Sequence, residues 1–370
     1  MPARHQHYGW LVSPYSAKTR AYLSWKGIPF DDIAPSALRM YFSIRKAVGK
    51  VIMPTVRTPG GSWLQDTSDI IDALELEFPS PSTVPPGPRQ RLASLLLELH
   101  GDEWLPILGM HTRWTIPANE QFARAEFGRY GFPWLPGPLQ QRMAKPMADK
   151  MASYLPVLGV SAETAPGIEA FGRSLIHQLD THLSEHPYLM GGRPCLGDLS
   201  LFGPLWAHVY RDPGSRHWFD EAPAVEQWFE RLLSPDPSQR GQFLPDDDVP
   251  DSLTPLFHTL FAEQFPFVEK LVDAIDGYCE AHPGATRVPR SLGNHEFTIG
   301  GHTGTRRLIT FSQWMAQRPL DLYGSLDSDQ RASVDEWLRH IGALEPMQLK
   351  ISNPFVRREF TMGLRAPAGS

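Results

Sequence analysis

Hydrophobic positions in the first eighty residues come in short, sharply bounded blocks. His7-Tyr-Gly-Trp-Leu-Val12 is aromatic and β-branched and stops at Ser13-Pro14, where serine caps a helix and proline fits its first turn. A strand feeding a helix follows from this. Over Ser16 to Lys26, Ala17, Tyr22, Leu23 and Trp25 fall on a helical period that ends at Gly27. Ile28 to Ile33 is a second strand, Leu38 to Val48 a basic helical segment, and Val51 to Arg57 a third strand interrupted by Pro54. Central strands reject an ordinary proline, so Pro54 is expected at a strand entrance or in a cis bond. Pro59 to Ser62 turns the chain into Trp63-Leu64-Gln65, and Asp66-Thr67-Ser68-Asp69 opens a helix to about Glu77. The predicted order is β-α-β-α-β-β-α.

The proline-rich stretch Ser80 to Pro88 is the clearest domain boundary. Beyond it the pattern is helical: Arg89 to Trp114 as one long helix, then Pro138 to Tyr154, Pro166 to Leu183, Leu196 to Tyr210 and Ala224 to Leu233. Pro235-Asp-Pro237 and Asp246 to Asp248 mark a second linker. The segment after it has helices over Pro255 to Glu280, Phe311 to Leu322 and Asp327 to Ile341, a hairpin around Gly300-Gly301 to Gly304, and an irregular last 25 residues. Three units result, 1–79, 88–240 and 250–370. With 370 residues and roughly 150 per domain, this number is reasonable.

Composition narrows the function. Lys and Arg number 35 against 41 Asp and Glu, with no basic run, so a nucleic-acid footprint is absent. No stretch reaches the about 18 apolar residues of a membrane span, and Met1 to His7 leads directly into a strand; a cytoplasmic protein is expected. Cys195 and Cys279 are too few and too distant for a disulfide framework or a cysteine zinc site. His100 and His111, three turns apart on the predicted long helix, stand ~16 Å apart and share no metal. His295-Glu296 lacks the second histidine of a zincin helix.

Four features recur together in one known family. Ser13-Pro14-Tyr15 resembles the Ser-Pro-Phe helix start of serine-type cytosolic glutathione transferases such as the plant tau type; the omega type has Cys-Pro-Phe there. Met53-Pro54-Thr55-Val56 is similar to the family's cis-proline strand, and Asp66-Thr67 followed by Ile70-Ile71 to its acidic-Ser/Thr pair and helix. Ala222-Pro-Ala-Val-Glu-Gln-Trp228 through Arg231-Leu232 resembles its late helix. The resemblance covers residues 7 to 233. It implies a thioredoxin-like N-terminal domain, an all-helical C-terminal domain that lines the second-substrate pocket, and glutathione as cosubstrate in a homodimer. Residues 250–370 lie outside it.

A thiol has a pKa of about 8.5 and only its thiolate is a good nucleophile. Ser13, at the positive end of a helix, offers a hydroxyl to such a sulfur anion; it equally serves as a plain helix cap. By the resemblance Met53 and Pro54 pair with the peptide backbone as an added strand, Asp66 and Thr67 hold the γ-glutamyl end, and Lys50 meets the glycyl carboxylate. Gly49-Lys50-Val51-Ile52-Met53-Pro54 is longer than the family's Gly-Lys-Val-Pro. Cys195-Leu-Gly-Asp198 replaces the usual Ser/Thr-x-x-Asp capping box, and Asp198 is expected to reach the free N–H groups alone. Tyr15, His100, Trp104, His111 and Trp114 are candidates for the acceptor pocket, with core packing as the equal alternative for the tryptophans. Gly128 to Pro138 forms either a flap or an interhelical loop. Gln313-Trp314-Met315 and Gln317-Arg318-Pro319 either close the active site, buttress a subunit contact or pack. The resulting expectation is a glutathione transferase acting on an apolar electrophile. Lyase, ether-cleaving or isomerase chemistry on the same scaffold, or a non-catalytic ligand-binding protein, are the alternatives.

Overall fold

The computed structural model describes residues 4–366. Strand β1 (His5–Tyr8) lies inside a four-stranded sheet of order β2-β1-β3-β4. β2 (Phe30–Ile33) runs parallel to β1, which needs a crossover, and the helix Pro14–Lys26 supplies it. Ser13 caps that helix, its side chain accepting the Ser16 N–H at 3.2 Å, and Gly27 ends it at φ 69°. The segment after β2 is helical over Ala37–Arg39, Met40–Ile44 and Arg45–Val48, the middle piece a π turn. A cis Met53-Pro54 bond precedes β3 (Thr55–Arg57), which pairs antiparallel with β1 and with β4 (Trp63–Gln65). The helix Thr67–Glu77 completes the expected β-α-β-α-β-β-α order.

The expected long helix from Arg89 to Trp114 is two helices, Pro88–Glu103 and Pro106–Thr115. Pro106 has no N–H to give and its ring crowds the preceding turn. The N–H groups of Trp104 and Leu105 both close on the His100 carbonyl at 3.0 Å, so the first helix stops there. Pro117–Gly131, Gly137–Ala152, Ala165–Glu185, Leu196–Pro204 (continued by a π turn, Leu205–Tyr210) and Pro223–Leu233 follow. Residues 128–131 therefore end a helix, and only a short connection remains of the flap or loop. Asp198 accepts the Cys195 N–H at 2.9 Å as expected, but not alone: the Cys195 side chain faces the Asp198 N–H in return, completing a capping box; the same carboxylate also takes Leu189 N–H and Trp228 Nε1–H. Close approach of the two domains depends on Gly203, where a Cβ would stand 2.6 Å from the Pro14 carbonyl oxygen.

The last unit is packed onto both others. Phe265–Ala281 buries Phe265, Phe267, Val268, Leu271 and Ile275. β5 (Ser291–Ile299) and β6 (His302–Ile309) form a hairpin through Gly300-Gly301, both at positive φ as such a two-residue turn requires. Helices Phe311–Gly324 and Ser328–His340 come next. The final residues are not irregular throughout. β7 (Phe355–Arg358) and β8 (Thr361–Leu364) pair antiparallel, and Phe355 is buried. Strands of four residues show too little alternation to be legible, and tertiary contacts hold this pair. Gln317 exchanges two hydrogen bonds with the Phe355 backbone, and Gln313 donates to the Asn353 carbonyl.

Candidate active site

One cavity of about 590 Å³ opens between the three units. Lys50, Met53, Pro54, Asp66 and Thr67, the five residues expected to hold glutathione, all line one wall, with Tyr15 beside them. The opposite wall comes from the last unit and is mixed, with Val288, Ile309, Phe311, Met315 and Met362 apolar and Arg287, Arg290 and Arg357 charged. Asp102 and Glu103, from the end of the helix Pro88–Glu103, also line it.

These acids belong to a buried ionic network. Lys18 donates to Glu98 at 2.9 Å and to Asp102 at 2.6 Å; Ser68 Oγ donates to Glu98 at 2.8 Å. Arg318 completes it, reaching Glu98 at 2.9 Å and Asp72 at 2.6 Å. Burial opposes every charge here, but Arg318 and Lys18 outweigh it at Glu98 and hold that carboxyl down to about 2. At Asp102 burial wins over Lys18, with Glu98 adding, and the carboxyl is raised. Tyr15 shows how the network shapes the wall: its ring edge is exposed, while its hydroxyl donates to the Asp102 carbonyl at 2.9 Å. Desolvation of that hydroxyl and the carboxylates of Glu103, Asp102 and Asp66 hold the phenol well above its usual range, so it stays protonated. Glu103 accepts from Ser312 Oγ at 2.5 Å. Desolvation, opposed by Ser312 and Arg306 and assisted by Asp102 and Asp66, lifts its carboxyl to about 8.

The β7–β8 hairpin engages both charged ends of the expected glutathione site. Asp66 caps the helix Thr67–Glu77 by accepting Ser68 N–H at 3.1 Å, with φ 82°. Arg357 Nη1 stands 3.1 Å from Asp66 and 2.9 Å from Asp69, close contacts of charge at angles outside hydrogen bonding, while its Nη2 donates to Gln65 Oε1 at 3.1 Å. Burial raises Asp69 to about 6 in spite of Arg357. Lys50 donates to the Phe360 carbonyl at 2.6 Å; burial, then Arg357 and Arg290, lower its pKa.

Ser13 is half-buried and lies outside the residues lining the cavity. Its oxygen accepts from Ser16, which leaves its own hydrogen free to be donated. Buried Arg113 fixes the turn before it, donating to the Val12 carbonyl at 2.6 Å while paired with buried Asp212 at 2.7 Å. Four acceptor-pocket candidates are corrected: His100, Trp104, His111 and Trp114 do not reach the cavity. The break at Pro106 separates them onto two helices, and each is buried elsewhere. His100 bonds Gln264 at 2.8 Å; Trp104 packs on Phe267 and Phe297; His111 meets Glu169 at 3.3 Å; Trp114 packs on Phe127. The sequence reading missed Glu103, Arg290, Phe311 and Arg357. An acidic pair, Asp102-Glu103, at the end of an otherwise apolar helix face was the one legible signal. Among the described residues no group of three or more His, Cys, Asp or Glu could hold a metal, and no helix is long and apolar enough to cross a membrane.

Residues 8–82 match the family model for the glutathione S-transferase N-terminal domain, and residues 162–231 that for the glutathione S-transferase C-terminal domain. The chain belongs to the glutathione S-transferase superfamily. In this transferase-family chain the N-terminal match spans Ser13, Lys50, Met53, Pro54, Asp66 and Thr67, while Glu103 and Arg357 lie outside both matches. No curated protein matches the chain significantly. Among solved structures it is similar to a glutathione S-transferase from Rhodospirillum rubrum F11, at 14% identity over 67% of this chain and 96% of that one, TM-score 0.39. A glutathione S-transferase from Methylobacterium radiotolerans JCM 2831, in complex with glutathione sulfonate, shares 19% identity over 66% and 100%, TM-score 0.37. The beta-etherase LigF from Sphingobium sp. strain SYK-6 shares 18% over 64% and 96%, TM-score 0.41. Likeness this distant bears on neither the reaction nor the substrate.

Proposed function

We propose that this glutathione S-transferase superfamily member is a glutathione-dependent enzyme, which activates the glutathione thiol for attack on an electrophilic carbon of an apolar substrate. The observation that carries the reading is the convergence of Lys50, Met53, Pro54, Asp66 and Thr67 on one cavity that also offers apolar side chains, Val288, Ile309, Phe311, Met315 and Met362, from the last unit. Glutathione lies along the first wall, its γ-glutamyl end at Asp66 and Thr67 and its glycyl end toward Lys50. The acceptor lies against Phe311 and Met315. Ser13 is the donor to the sulfur anion, from the positive end of the helix Pro14–Lys26. The reading includes the homodimer and the cytoplasmic setting that the resemblance implies.

Ultraviolet thiolate absorbance of bound glutathione tests it. The thiol pKa is expected below that of free glutathione in the wild type and higher in Ser13→Ala, with turnover reduced by about one to three decades, as for loss of one donor to an anion. Coincident pKa values near that of free glutathione would make Ser13 a helix cap only and favour a ligand-binding protein.

A further inference from the structure

Glu103 is the one acid lining the cavity that has no ion-pair partner among the described residues. Asp102 has Lys18 and Asp66 has Arg357. The cation of strand β6, Arg306, sits in a cage of rings, its guanidinium carbon 4.8, 4.1 and 5.6 Å from the centroids of Trp104, Phe267 and Phe297; it forms no ion pair with Glu103 among the described residues, though its charge favours the carboxylate. The remaining charged groups around the cavity are Lys50, Arg287, Arg290 and Arg357. None of them forms an ion pair with Glu103 among the described residues. Among the described residues, the one hydrogen bond to the Glu103 carboxyl comes from Ser312. Apolar groups of the last unit, Val288, Phe311 and Met315, line the same cavity.

We propose that Glu103 is a catalytic acid of this enzyme, delivering a proton to an oxygen atom that leaves carbon as the glutathione sulfur attacks. The inference rests on the glutathione reading and adds the substrate class: electrophiles whose broken bond is carbon–oxygen, an epoxide or an activated ether. The thiol proton goes to solvent when the thiolate forms. The sulfur then forms the C–S bond, the C–O electron pair withdraws onto oxygen, and Glu103 supplies the proton that makes the product an alcohol or phenol. The carboxylate left behind regains a proton from water. No oxidant or reductant is required. A departing halide is a stable anion and gains little from such a donor, whereas an alkoxide is strongly basic and gains much. Burial, with the carboxylates of Asp102 and Asp66, outweighs Ser312 and the charge of Arg306 and lifts the carboxyl to about 8, so the donor is loaded at neutral pH.

The test compares styrene oxide with chlorodinitrobenzene in wild type and Glu103→Gln, with calorimetric glutathione binding measured alongside. For styrene oxide, kcat is expected to fall about 10²–10⁴-fold with KM little changed, and the decline in kcat above pH 8 to disappear. The loss with chlorodinitrobenzene is expected to be at least about tenfold smaller, since its leaving group needs no proton. Ser312→Ala gives a second readout should the glutamine variant misfold: removing the donor that favours the carboxylate moves the basic limb to higher pH. Equal losses for both substrates, an unmoved limb in Ser312→Ala, or wild-type turnover of the halide alone would overturn the proposal. Wild type that fails to bind glutathione refutes the underlying reading instead, and with it the proposal.

Discussion

Asp66 does three things at once, and separating them gives the sharpest test of the glutathione site. Its Oδ1 caps the helix Thr67–Glu77, its backbone sits at φ 82°, and its Oδ2 faces Arg357 at 3.1 Å. Asparagine keeps the capping oxygen and tolerates positive φ better than most residues, so Asp66→Asn removes the charge alone. Arg357 retains Asp69 at 2.9 Å, and the β7–β8 hairpin stays in place. A charge-assisted bond from a γ-glutamyl ammonium contributes roughly 1.5–3 kcal/mol, which is about one to two decades in affinity. Asp66→Asn is therefore expected to raise the glutathione Kd about 10- to 100-fold by calorimetry, with little change in Tm. Asp66→Ala loses the cap as well, about 1 kcal/mol, and alanine tolerates positive φ less well than aspartate. Its Tm should fall by several degrees. A folded Asp66→Asn protein with wild-type affinity would refute the reasoning and leave Asp66 as a partner of Arg357 only.

Three further outcomes are expected. Truncation before residue 250 withdraws Arg318 from buried Glu98 and uncovers the apolar surface on which the last unit packs, Trp104 against Phe267 and Phe297 included, so the shortened chain should aggregate in light scattering; a monodisperse truncation with wild-type glutathione affinity contradicts this. Because the Glu103 carboxyl rises from its ordinary 4.5 to about 8, it contributes stability below pH 4.5 that is lost as pH rises through about 8, a loss of at most about 5 kcal/mol and about half that once cavity solvent screens it. Urea titrations at pH 5 and 8.5 should show that Glu103→Gln lacks this loss, and parallel behaviour of the two proteins refutes it. Arg113→Met strands the Asp212 carboxylate in the core and frees the Val12 carbonyl, for about 3–5 kcal/mol of destabilisation; pairing it with Asp212→Asn should recover part of that in the melting curve, and an additive double variant would show the two residues to be uncoupled.

Local chemistry made the first domain legible. Capping by Ser13, termination at Gly27, the proline before β3 and the acidic start at Asp66 each act within a few residues, so they are written in neighbouring positions and the structure has them all. Glutathione-site candidates spread over residues 50 to 67 could be gathered for the same reason: strand, turn and helix bring them to one wall.

What the sequence could not state is what faces that wall. The periodicity of the helix after the linker shows that His100, Trp104, His111 and Trp114 recur on one face, yet periodicity cannot say what the face meets, nor that Pro106 would divide it. Packing decided that the face turns into the core. Likewise Glu103 is an ordinary acidic residue until the fold buries its carboxyl against Ser312, more than two hundred positions later in the chain. Arg357 becomes a partner of Asp66 only because Gln317 and buried Phe355 pin a four-residue strand that has no stability of its own. Capping and turn preferences act over a few bonds and survive in the sequence as motifs; desolvation and ion pairing act through space, and they exist only once the chain has brought distant residues together.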